Sequence, residues 1–156
     1  MPTVTTCLWF DTQALEAAEL YVSVFPRSAI SEIVRWGDND PERVGEPLTV
    51  RFTLDGRELL ALNGGPGRPF TEAVSLQVGC ADQAEVDRYW EALLAAGGTE
   101  SMCGWLTDRY GLSWQIVPER LLELLGDPDP ARAGRVAEAM MRMVRVDLAE
   151  IERAAA

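Results

Sequence analysis

Histidine is missing from this chain altogether, and that absence decides much of the chemistry open to it. Without imidazole there is no His-based triad, no histidine general base and no imidazole metal ligand. What remains is a set of amides and hydroxyls embedded in apolar runs. Asn63 closes "ELLALN", Ser75 and Gln77 interrupt "AVSLQVG", and Ser113 and Gln115 lie within "LSWQIV". Such groups orient a ligand by hydrogen bonding and do not themselves relay protons at neutral pH. The same amides could equally form a network that only satisfies the interior.

The other reactive side chains offer little. Cys7 has no histidine or nearby lysine to act as base, so a buried, unreactive thiol is expected. Cys7, Cys80 and Cys103 form no metal-like cluster, and three cannot all pair with one another; reduced thiols in a cytoplasmic protein fit this count. Acid–base work is open to Asp11, Glu72 or Asp108 only if one of them turns inward. The glycine-rich "NGGPG" at 63–67 contains Pro66 and precedes no helix, so it reads as a linker and not a phosphate cradle.

A chain of 156 residues is the length of one domain. Its net charge of -11, from 25 acidic and 14 basic residues, repels phosphate backbones and anionic lipid, so nucleic acid and membrane surfaces are poor partners. No apolar run approaches the ~20 residues that cross a bilayer. The N-terminal "MPTVTTCLWFDTQ" has no basic segment before its apolar stretch, which argues against a secretory signal.

The elements that carry these residues follow from periodicity. "TVTTCLWF" (3–10) is β-branched and aromatic, as strands are. Residues 11–25 place Leu15, Ala18, Tyr21 and Phe25 on one helical face, with Asp11 or Thr12 as cap and Pro26 as stop. "AISEIVRW" (29–36) alternates like a half-buried strand, and "LTVRFTL" turns at Asp55-Gly56 into "ELLALN". The order is β-α-β-β-β, and it then repeats. A strand at 73–79 leads to a helix at 83–96 with Asp82 and Glu85 as capping box, and Gly97-Gly98 ends it. Two short strands meet near Gly104 and a last one spans 112–117. Phe10 to Tyr21 and Val78 to Tyr89 are the same step of eleven residues, which points to a duplicated unit. Beyond it, 118–127 reads as a short helix and 131–153 as one long helix with Val136, Met140, Met143, Val144, Leu148 and Ile151 along one stripe.

Two β-α-β-β-β units resemble the vicinal-oxygen-chelate superfamily, which includes glyoxalase I, extradiol dioxygenases and bleomycin-resistance proteins. "LWFDTQALEAAELYVSVFPRS", "LALNGGPGRPFTEAVSLQV", "DRYWEAL", "CGWLTDRYGLSWQIVP" and "MMRMVRVDLAEIE" look like its PhnB-like branch, often labelled 3-demethylubiquinone-9 3-methyltransferase-like. The resemblance implies an α+β fold, a single domain of module one (3–65), module two (72–117) and C-terminal helices (118–153). Each module curls its strands into a half-barrel, and paired halves enclose a cup. It implies a homodimer as well.

Metal-dependent members of the superfamily place four ligands in that cup, at positions that here fall on Thr5, Leu59, Ala73 and Gln115. Leu59 and Ala73 carry no donor atom, and Thr5 and Gln115 are weak neutral ligands, so no metal and no other cofactor is expected. Strand alternation then puts Thr5, Cys7, Trp9, Leu59, Ala61, Asn63, Ala73, Ser75, Gln77, Ser113 and Gln115 on the cup side. Trp105 joins them as a wall, and Val74, Leu76 and Val78 pack under the helices. Glu58 and Glu72, one residue out of phase, are expected to face away. This lining suits a metal-free protein that binds a small organic molecule. The alternative is an enzyme acting on a quinone or α-oxo compound, with Gln115 and Asn63 polarising a carbonyl. An inward carboxylate would favour that alternative. The methyltransferase label implies S-adenosylmethionine, yet no strand–GxGxG–helix motif is present.

Overall fold

The computed structural model describes all 156 residues. They divide into two compact units, Met1–Phe70 and Thr71–Ala156. The first holds β1 (Thr6–Phe10), α1 (Ala14–Val24), β2 (Ala29–Arg35), β3 (Pro47–Leu54) and β4 (Arg57–Asn63). They form a four-stranded open sheet in the order β1-β4-β3-β2. The second repeats this with β5 (Ser75–Cys80), α2 (Gln83–Ala95), β6 (Thr99–Glu100), β7 (Trp105–Thr107) and β8 (Ser113–Pro118), ordered β5-β8-β7-β6. In each, the outer first strand runs parallel to the last and the other pairs are antiparallel. The expected β-α-β-β-β duplication is therefore present.

Why each helix lies where it does follows from side-chain alternation. Phe52, Val50, Leu59 and Ala61 are fully buried and share one face with Leu8 and Phe10. The buried side of α1 (Ala14, Ala17, Ala18 and Tyr21) covers that face, with the Tyr21 and Phe52 rings 6.2 Å apart. In the second unit Val86, Trp90 and Leu93 of α2 meet Leu106, Trp114 and Ile116 in the same way.

Three elements depart from the sequence expectation. The cap of α1 is neither Asp11 nor Thr12. Asn63 at the end of β4 accepts from the Ala14 N–H at 2.8 Å and donates to the Pro47 carbonyl at 3.0 Å. Only a residue brought back by the sheet could do both. Asn63→Ala is expected to cost about 2 kcal/mol, as a lost cap at a buried N–H plus an unpaired, half-buried carbonyl. A chemical-denaturation midpoint unchanged from wild type would remove the cap from the account.

β2 is not half-buried. Apart from Ile30, its residues are exposed, because it is the edge strand and α1 packs inboard of it. The tail likewise breaks its expected long helix. α3 (Glu119–Leu125) is followed by α4 (Pro130–Met140), an irregular segment, and α5 (Leu148–Ala155). Asp147 caps α5 by accepting from Glu150 N–H. Gln83 of α2 then clasps the break, accepting from Leu148 N–H at 2.8 Å and donating to the Val146 carbonyl at 3.0 Å. Arg145 adds an ion pair to Asp87 at 3.0 Å. The Asp87 carboxyl sits below its ordinary range, chiefly through the Gln83 amide and then Arg145. Met143, Val146 and Ile151 pack with Leu121, Leu124 and Val136, so the stripe is buried by folding back. Val144 stays exposed.

Candidate functional site

On the second sheet, the face turned away from α2 assembles the expected polar set. Parallel pairing puts Ser75 opposite Ser113 and Gln77 opposite Gln115. Antiparallel pairing adds Trp105 opposite Gln115 and Thr107 opposite Ser113. The amides lock one another: Gln77 Nε2 donates to Gln115 Oε1 at 3.2 Å, and Gln115 Nε2 donates to Ser75 Oγ at 2.8 Å. This ladder fixes both amide orientations. Trp105 is half-buried beside it. Ser113 is 1% exposed, and its Oγ has no hydrogen-bond partner. Beyond Gln115 the row ends at Gly79, where the Glu119 side chain lies against the backbone.

The first sheet requires a correction. Leu59, Ala61 and Asn63 do not join Cys7 and Trp9. They pair with Phe52, Val50, Leu8 and Phe10 on the face covered by α1. The residues beside Cys7 and Trp9 are Leu60 and Leu62, with Glu58 next to Thr53 on the same side. The run "LLALN" is apolar on both faces and so carries no phase of its own. A readable signal was the two-residue Asp55-Gly56 turn, with φ of 48° and 79°, which fixes Leu54 opposite Arg57 and hence Phe52 opposite Leu59. Glu58 thus faces the side from which it was expected to turn away. Arg51 holds it at 2.6 Å and reaches Glu32 at 3.6 Å.

The remaining candidates are placed as follows. Ala73 and Glu72 lie in an exposed turn before β5, which starts two residues later than expected. Thr5, half-buried, precedes β1. Trp9 is folded under the linker: its Nε1 donates to the Gly65 carbonyl at 2.9 Å, and its ring lies against Gly64. Cys7 is exposed and not buried, yet local desolvation keeps its thiol above the ordinary pKa, so little thiolate forms at neutral pH. Burial, then the Glu85 carboxylate, pushes Cys80 up to about 12. Asp108 faces neither sheet surface as a free acid. It is 5% exposed and organises its own hairpin. Val74 is exposed, and Leu76 and Val78 are only half-buried. Two open clefts occur within the units. One of 240 Å³ runs from Asn63 and Thr12 to Trp36, whose ring is occupied by the Arg43 guanidinium at 4.9 Å. One of 420 Å³ lies between α4 and α5.

These donors do not suit the groups that the fold and its labels imply. No three cysteine, aspartate or glutamate side chains come together within either unit to hold a divalent ion. Leu60 and Leu62, the β4 residues on the side of Cys7 and Trp9, carry no donor either, and Glu58 on that side is paired with Arg51. The "NGGPG" linker, pinned over Trp9, forms no strand-to-helix cradle for S-adenosylmethionine. No helix is long and apolar enough to cross a membrane.

Comparison with known proteins accords with this geometry. The family described as 3-demethylubiquinone-9 3-methyltransferase matches residues 2–117. A Bacillus cereus protein described as PhnB, with the same methyltransferase in its description, is 34% identical and superposes with a TM-score of 0.67, over 74% of this chain and 99% of its own. A Pseudomonas aeruginosa protein is 22% identical with a TM-score of 0.60, over 76% and 97% of the two chains. The fosfomycin resistance protein FosX of Mesorhizobium loti is 12% identical, TM-score 0.50, over 78% and 97%, and speaks to the fold alone. No functionally curated protein matches the chain. Duplicated β-α-β-β-β units, the family match and the PhnB likeness converge: the chain belongs to the PhnB-like, 3-demethylubiquinone-9 3-methyltransferase family, of vicinal-oxygen-chelate fold.

Proposed function

We propose that the protein binds a small organic molecule without a metal, using the amide–hydroxyl surface of its second sheet. The observation that carries this reading is the Gln77–Gln115–Ser75 ladder beside Trp105. Pre-oriented amides next to an indole recognise a planar molecule with hydrogen-bonding edges. Homodimerisation and a cytoplasmic setting belong to the same proposal. The first is supported by the exposed Ile33 and Val34 of edge strand β2, the second by three unpaired cysteines.

The test is a thermal-shift and native mass spectrometry screen against aromatic and carbonyl compounds, run with and without Mn²⁺, Ni²⁺ and Zn²⁺. Stabilisation by at least one class without metal is expected. Gln115→Ala should weaken that uptake by roughly threefold to tenfold, the worth of one or two hydrogen bonds. A stoichiometric metal site of submicromolar Kd, or no stabilising compound of any class, sinks the proposal.

The position of Glu58 favours a second reading, an enzyme acting on a quinone or α-oxo compound. A carboxylate on the face away from α1 supplies the titratable group that metal-free proton transfer needs. Its tie to Arg51 weighs against a base that must exchange protons freely. Under this reading Glu58→Gln abolishes turnover and leaves uptake intact.

A further inference from the structure

We propose that the ligand of this second-sheet surface is uncharged and presents a hydrogen-bond acceptor that takes its bond from Ser113. The inference rests on the binding function proposed above and adds the chemical class of the ligand.

The first observation is Ser113 itself. Its hydroxyl is buried with no partner, although a buried polar group normally finds one. An unpaired hydroxyl costs stability, so a protein that keeps one leaves a donor set for something outside itself. Pairing puts Ser113 on the surface of Ser75 and Gln115 and directly opposite Ser75. Ser75 Oγ already accepts from Gln115, which leaves its own proton available. Two hydroxyl donors therefore sit side by side on adjacent strands, and a carbonyl oxygen matches them.

The second observation is charge. A quarter of the chain is charged, yet Ser75, Gln77, Trp105, Thr107, Ser113 and Gln115 form a patch with no charged side chain. An ion brought there would lose hydration with no counter-charge to replace it. The nearest charge along β5 is Glu119, over Gly79, and it opposes anions. The half-buried Trp105 ring offers the flat surface that a planar, neutral molecule stacks on.

The experiment uses the whole protein and four probes of one shape: 1-naphthamide, 1-naphthoate, 1-naphthylmethylammonium and naphthalene. The wild type should bind the amide more tightly than the other three. Ser113→Ala should raise Tm by about 2–4 °C, because an unpaired donor is removed. It should also weaken amide binding by roughly threefold to tenfold and leave naphthalene binding unchanged. A fall in Tm for Ser113→Ala overturns the inference, since the hydroxyl then has a partner of its own. Binding of either ion as tightly as the amide, or amide binding that ignores Ser113→Ala, overturns it too. Failure of all four probes also overturns it. In each of these cases the wider screen decides separately whether the binding function stands.

Discussion

Asp108→Ala is expected to destabilise the fold by about 3–5 kcal/mol. The carboxylate accepts from the Tyr110 N–H at 2.9 Å and the Leu112 N–H at 3.1 Å through Oδ1, and from Trp114 Nε1 at 3.0 Å through Oδ2. Leu112 and Trp114 are each 1% exposed, so water cannot replace the lost acceptor at either. Each stranded donor costs about 1–3 kcal/mol, and the vacated space adds a smaller packing loss. Asp108→Asn separates the contributions. Its single amide oxygen can serve one side of the site, and its NH₂ must then meet a second donor, so it should recover only part of the loss. Urea unfolding of both variants measures this. An Asn variant equal to wild type would show that the indole needs no acceptor there, and a fully stable Ala variant would show that the hairpin holds itself.

That result would also settle how this acidic residue should be read. Asp108 looked like one of three carboxylates able to turn inward, and both its oxygens are engaged, one by the backbone of its own turn and the other by the Trp114 indole. The duplication itself was legible, because the equal steps from Phe10 to Tyr21 and from Val78 to Tyr89 set strand and following helix at the same spacing in both units. The phase of β8 was legible too: in "LSWQIV" the polar Ser113 and Gln115 alternate with Trp114 and Ile116, and the pairing confirms them as one face.

The phase of β4 was not, since "LLALN" offers leucine to both sides and only the Asp55-Gly56 turn could decide it. Asn63 was misread for the same reason, and its role as a helix cap depends on a contact 49 residues away in sequence. The tail failed differently. A Met-bearing stripe fits a continuous helix as well as a folded one. What bends it is the Gln83 clasp, together with Gly104 and Cys103, whose N–H groups donate to the Val144 and Met143 carbonyls at 2.8 Å. No local pattern encodes those partners.

Gly104 is where the bend is most sharply constrained, and Gly104→Ala is expected to cost about 2–4 kcal/mol. Its φ of +81° costs an L-residue about 1–2 kcal/mol. A methyl group there would also lie 2.9 Å from Val146 Cγ2, 3.0 Å from the Ile116 carbonyl and 3.3 Å from Val117 Cγ1, an overpacking of about 1–3 kcal/mol. Rotating the backbone to escape would break two bonds of 2.8 Å, from Gly104 N–H to the Val144 carbonyl and from Ile116 N–H to the Gly104 carbonyl. Together they link β8, the strand that carries Ser113 and Gln115, through Gly104 to the folded-back tail. Val146→Ala supplies the control. In the double variant the methyl contact disappears but the φ penalty and the Ile116 carbonyl remain, so its loss should be smaller than the sum of the single variants. If Gly104→Ala unfolds at the wild-type denaturant midpoint, the close approach of tail and strand is not what holds this corner. Strict additivity with Val146→Ala would mean that the Val146 methyl contributes none of the strain.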